Sequence, residues 1–140
     1  HEAGHLYDCR VGEYLGYADR TAVEMMPGDA RMWALLPHET AGIHVDMPRR
    51  ALRGQALALR ASIHGAAGPS RRVLRVEVVG PDEETMPWLS RNVVARDGRT
   101  TVRVPTALND PPGTYRVTVR DVATGTEAEA PFTLRTEMRQ

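Results

Sequence analysis

His1-Glu2-Ala3-Gly4-His5 is the stretch whose residue types and spacing match a known chemical device, H-E-x-x-H. On a helix, that spacing turns two imidazoles to one face for zinc and leaves the glutamate as a base. The surroundings supply no helix, because Gly4 interrupts the motif and Leu6-Tyr7 reads as the start of a strand. The match is therefore expected to be accidental, with no metal, no cofactor and no catalytic residue assigned. His38, His44 and His64 fall on loop or outward strand positions, where no spacing demands a third ligand. Ser62, Ser70 and Ser90 are the only serines, and none lies in a Gly-x-Ser-x-Gly elbow.

Cys9 is the single cysteine, which excludes an internal disulfide and any cysteine-built zinc cage. Within a strand-like run it reads as a small buried hydrophobe, not a reactive thiol. Asp82-Glu83-Glu84 and Asn109-Asp110 carry oxygen ligands suited to calcium, yet neither follows an EF-hand spacing, so both read as solvated loops. Trp88, Tyr14 and Tyr17 are the side chains able to stack on a sugar ring, and carbohydrate stays open as a partner on that ground.

The composition limits the remaining classes. The chain has 140 residues, 41% apolar and 26% charged, a balance that supports a packed core. Eighteen basic residues meet eighteen acidic ones, so no long-range field gathers nucleic acid. All eighteen basic residues are arginine, and the absence of lysine removes Schiff-base and P-loop chemistry. No apolar run approaches the roughly 20 residues of a membrane span.

The elements that would carry these residues are strands. Leu57, Leu59 and Ile63 share one face at period two, as do Leu74, Val76 and Val78. Val102 and Val104, then Tyr115, Val117 and Val119, then Phe132 and Leu134 continue the pattern. Asp97-Gly98, Asn109-Asp110-Pro111-Pro112-Gly113 and Ala123-Thr124-Gly125 punctuate it as turns and loops. With Ile43-His44-Val45 in front, about seven short strands predict an antiparallel sandwich of immunoglobulin-like or fibronectin-III-like architecture over residues 43–140. Residues 38–42 read as a linker. Residues 1–37 read as a partial β-unit of four strands, Leu6–Arg10, Tyr14–Arg20, Thr21–Met26 and Ala30–Leu36, with Met25, Met26 and Met32 filling a core. Such a unit is marginal alone. It is expected to pack on the sandwich or, preferably, on strands of an upstream region; the opening at His1 fits processing, a cut from a longer product, or an ordered part of one.

Leu6-Tyr7-Asp8-Cys9-Arg10-Val11-Gly12-Glu13-Tyr14-Leu15-Gly16, followed by Met26-Pro27-Gly28-Asp29-Ala30 and Ala34-Leu35-Leu36-Pro37, resembles the β-sandwich tail of multidomain bacterial glycoside-hydrolase-like proteins of β-galactosidase type. Leu108-Asn109-Asp110-Pro111-Pro112-Gly113 and Val119-Arg120-Asp121-Val122-Ala123-Thr124-Gly125 resemble the immunoglobulin-like domain ending such chains. The resemblance implies a non-catalytic accessory or interaction module of a larger exported or cell-envelope protein, with any active site upstream. Its alternatives are the tail of a glycoside hydrolase, or a subunit of an extracellular β-rich assembly built by strand complementation. Expected partners are other domains of the same polypeptide or neighbouring subunits.

Overall fold

Period-two alternation of apolar and charged residues builds nearly the whole molecule from extended chain. The computed structural model describes residues 2–65 and 70–136. Among these are eleven strands and no helix: β1 (Gly4–Asp8), β2 (Glu13–Ala18), β3 (Trp33–Leu36), β4 (Gly42–Asp46), β5 (Arg50–Leu52), β6 (Ala56–His64), β7 (Arg71–Val79), β8 (Arg91–Arg96), β9 (Arg99–Pro105), β10 (Gly113–Asp121) and β11 (Glu127–Arg135). The fold is all-β. A three-stranded antiparallel sheet, β2-β1-β3, precedes an eight-stranded sheet of order β4-β6-β9-β8-β7-β10-β11-β5.

The larger sheet curls into an immunoglobulin-like sandwich. Strands β8 and β9 pair only at Arg96 and Arg99, so β4-β6-β9 swings away from β8-β7-β10-β11 and faces it across the core. Leu59, Leu74, Val78, Val117 and Val119 are fully enclosed there. Each such side chain contributes about 1.5–3 kcal/mol of burial. Tyr115 stacks on Phe132 directly across the β10–β11 ladder, ring centroids 5.1 Å apart. Its hydroxyl donates 2.7 Å to the Pro111 carbonyl four residues upstream, the tyrosine-corner arrangement of such sandwiches. Asp97 and Gly98, at φ 52° and 74°, make the tight β8–β9 turn expected from their types.

Several expectations need correction. Thr21–Met26 forms no strand, β3 begins only at Trp33, and β5, which pairs in parallel with β11, was not anticipated. Cys9 opens the turn after β1 and does not alternate within a strand. Met25, Met26 and Met32 fill no core; they are exposed by 51%, 74% and 64%. A connection held open by Pro27-Gly28 and by the Asp29 carboxylate on the Met26 N–H has no ladder to place those thioethers inside.

The inward register of the sandwich ends on charge. Arg72 continues the buried face of Leu74, Val76 and Val78, and Asp121 continues that of Val117 and Val119. They meet as a buried ion pair. Asp121 Oδ2 also accepts the Thr124 hydroxyl at 2.7 Å, and Arg72 Nη2 also donates to Thr40 Oγ1 at 2.8 Å. The Thr40 N–H donates to the Tyr7 hydroxyl at 2.9 Å, which carries the chain of contacts into the small sheet. At the β1–β2 turn, Gly12 lies against Gly125, and a Cβ on Gly125 would sit 2.5 Å from the Gly12 Cα. Asp121→Ala is expected to cost about 3–5 kcal/mol in denaturant unfolding, because it strands the Arg72 guanidinium. Arg72→Met combined with Asp121→Leu is expected to recover most of that loss, and equal losses in both variants would contradict the assignment.

Candidate functional site

The small sheet holds most of the residues whose chemistry was singled out. Cross-strand pairing sets Tyr17 beside His5 and Tyr14 beside Tyr7 on one face, and Gly16 and Leu35 beside Leu6 on the other. A bulge between Leu6 and Tyr7 leaves Leu15 as the extra residue of β2. His5 Nδ1 is hydrogen-bonded to the Tyr14 hydroxyl at 2.7 Å, and its ring lies 5.2 Å from that of Tyr17. Tyr7 and Tyr14 rings are 4.9 Å apart. The Tyr14 phenol is raised above its ordinary value, first by lost hydration and then by the Glu39 charge.

His5 thus sits on a strand and not on a helix, with its Nδ1 taken by the Tyr14 hydroxyl. His1 lies outside the described residues. The three serines remain scattered: Ser90 donates its hydroxyl to the Met86 carbonyl at 3.0 Å, and Ser62 lies opposite His44 on the outer face of β4–β6 with no hydrogen bond between them. Asp82 accepts the Glu84 N–H at 3.2 Å and Asp110 accepts the Ala107 N–H at 2.7 Å. Glu83 of the first loop reaches out to Arg116 at 3.2 Å. Trp88 is 73% exposed in the β7–β8 connection and makes no aromatic contact with the tyrosines, so the three sugar-stacking candidates do not form one platform.

Cys9 is half-buried between charges. Burial first, then the neighbouring Asp8 and Asp121 carboxylates, push its thiol above the ordinary value. Asp8 itself is taken up locally, accepting the Arg10 N–H at 2.9 Å and facing Arg31 at 3.8 Å. A thiol so placed stays protonated and is a poor nucleophile.

Apolar exposure is the feature that composition did not anticipate. Val11, Tyr14, Leu15, Tyr17, Val23, Met25, Met26, Met32, Trp33 and Leu35 all belong to the small sheet and its connection, against only Val73, Trp88, Val94, Leu108 and Val122 on the rest of the described surface. Within that unit, Leu6 and Tyr7 alone are buried apolar side chains.

No known protein-family model matches the chain, and no curated protein is similar to it. A superoxide reductase (neelaredoxin) from Ignicoccus hospitalis shares the fold, with a TM-score of 0.51 at 12% identity over 69% of this chain and 82% of that one. At that identity the likeness speaks for the fold alone. It nevertheless corrects the expectations drawn from the glycoside-hydrolase resemblance. The solved protein that shares this fold is named as an enzyme of another kind, which points away from the glycoside-hydrolase accessory-module and hydrolase-tail readings and from the setting aside of catalysis, without giving this chain an activity. The glycoside-hydrolase-associated and extracellular labels find no support in these comparisons.

Alkylation of Cys9 by iodoacetamide is expected to be slower at neutral pH than that of a free thiol. Its rate should climb with pH through a midpoint above the ordinary thiol value, and rapid labelling at neutral pH would contradict the burial and charge described.

Proposed function

We propose that the small sheet is a docking face and that a second copy of this chain covers it. The observation that carries this reading is the concentration of exposed apolar side chains on β2, β3 and the connection between them. Exposed apolar side chains gathered on both faces of one small unit mark an interaction site. Tyrosine and tryptophan supply rigid contact area, and methionine thioethers adapt to an opposing surface. Equal numbers of acidic and basic residues leave no net repulsion to keep two copies apart. Gly16 adds to the fit, since nothing lies within 4 Å of where its Cβ would be and the backbone stands open to approach.

Superoxide reduction, the reaction in the name of the fold's solved example, moves a single electron and so calls for a redox metal or cofactor. A resident redox metal of that kind would be held by three or more protein ligands, and the described residues contain no group of three or more His, Cys, Asp or Glu able to hold one. These residues do not fit such a group.

Sedimentation of the full chain from micromolar to millimolar protein tests the reading. The chain is expected to dimerise across that range, and the combined Tyr17→Glu and Leu35→Glu variant to stay monomeric with an unchanged circular dichroism spectrum. Val73→Glu with Val94→Glu, on the outer face of the sandwich, should dimerise as the parent does. A parent that stays monomeric throughout, or a dimer indifferent to Tyr17 and Leu35, overturns the proposal.

A further inference from the structure

Away from the small sheet, two histidines that the sequence left unconnected face the same solvent. β4 and β6 run antiparallel with Gly42 opposite His64 and His44 opposite Ser62. His44 and His64 are therefore diagonal neighbours on the outer face, while Ile43, Val45, Ala61 and Ile63 turn to the core. Their ring centroids lie 6.3 Å apart at 61°. Gly42 presents no side chain beside His64, and nothing lies within 4 Å of where its Cβ would be. The two rings thus meet beside Gly42, with Ser62, opposite His44, as the other neighbour on this face.

We propose that His44 and His64 form a two-imidazole site for a borderline divalent transition cation, of the class of zinc, nickel or copper(II). Such cations favour imidazole nitrogen, and a zinc–nitrogen bond is about 2.0–2.1 Å, so a cation held between two rings fits the observed spacing after a small rotation of either exposed side chain. Water completes the coordination. The remaining charges on this face are Asp46, two residues beyond His44, and Arg60, paired with it at 4.0 Å, with Arg99 opposite Ser62. Asp46 offsets the arginines next to the site, and its pairing with Arg60 is exposed and weak enough to yield to a metal. Because the two ligands come from the edge strand and its neighbour, occupancy ties β4 to β6 and stabilises the folded chain.

Isothermal titration of the full chain with zinc chloride, and separately with nickel chloride, reads the site directly. One cation per chain is expected, with His44→Ala and His64→Ala each weakening binding by about ten-fold or more, and His5→Ala and His38→Ala leaving it unchanged. Both target rings are exposed, so their removal leaves the core intact. If either variant nonetheless fails to fold, the imidazole resonances of the parent decide: zinc should shift those of His44 and His64 together. No binding by the parent, undiminished affinity in either variant, or shifts confined to other histidines would overturn the assignment.

Discussion

Two charges taken out of water, Arg72 and Asp121, sit where the apolar registers of β7 and β10 run out. Removing such ions from solvent costs several kcal/mol each, and their attraction offsets this only where further hydrogen bonds satisfy the rest of both groups. Thr124 and the Ala123 N–H do so for Asp121, and Thr40 takes a second bond from Arg72 Nη2, while the buried Arg72 Nε finds no partner among the described residues. Those partners decide the architecture around them. Thr124 shapes the turn that brings Gly125 against Gly12, and Thr40 hands the contact to Tyr7 in β1. The pair is thus both the end of the sandwich core and the point that holds the small sheet to it.

That attachment is narrow, and its narrowness explains the exposed face. Three short strands anchored through Tyr7 and Gly12 have one layer to bury and few neighbours to bury it against. Leu6 and Tyr7 find cover; the side chains of β2, β3 and the connection between them do not. The sandwich has no such deficit, since its curled sheet encloses an apolar set from both layers. A docking surface in one unit and a finished core in the other follow from the same accounting of layers.

Most of the sandwich was legible because alternation is a strong signal over nine-residue strands such as β6, β7 and β10. The same alternation, counted one step further, places Arg72 and Asp121 inside; reading every arginine as an outward solvating charge hid the pair. The short β5 carries too few residues to show a period, and it is held in place by β11, far along the chain. The methionines misled because composition cannot distinguish a core from a contact surface: both want the same side chains. The His44–His64 pairing depends on which residue of β4 lies opposite which of β6, and register between strands is not written in either strand alone.

Amide hydrogen exchange followed against protein concentration tests the docking face most directly. As concentration rises, amides of β2, β3 and the intervening connection should gain protection, while those of β7, β10 and β11 keep theirs unchanged. Exchange in the small sheet that ignores concentration, or added protection that falls on the sandwich instead, would contradict the account.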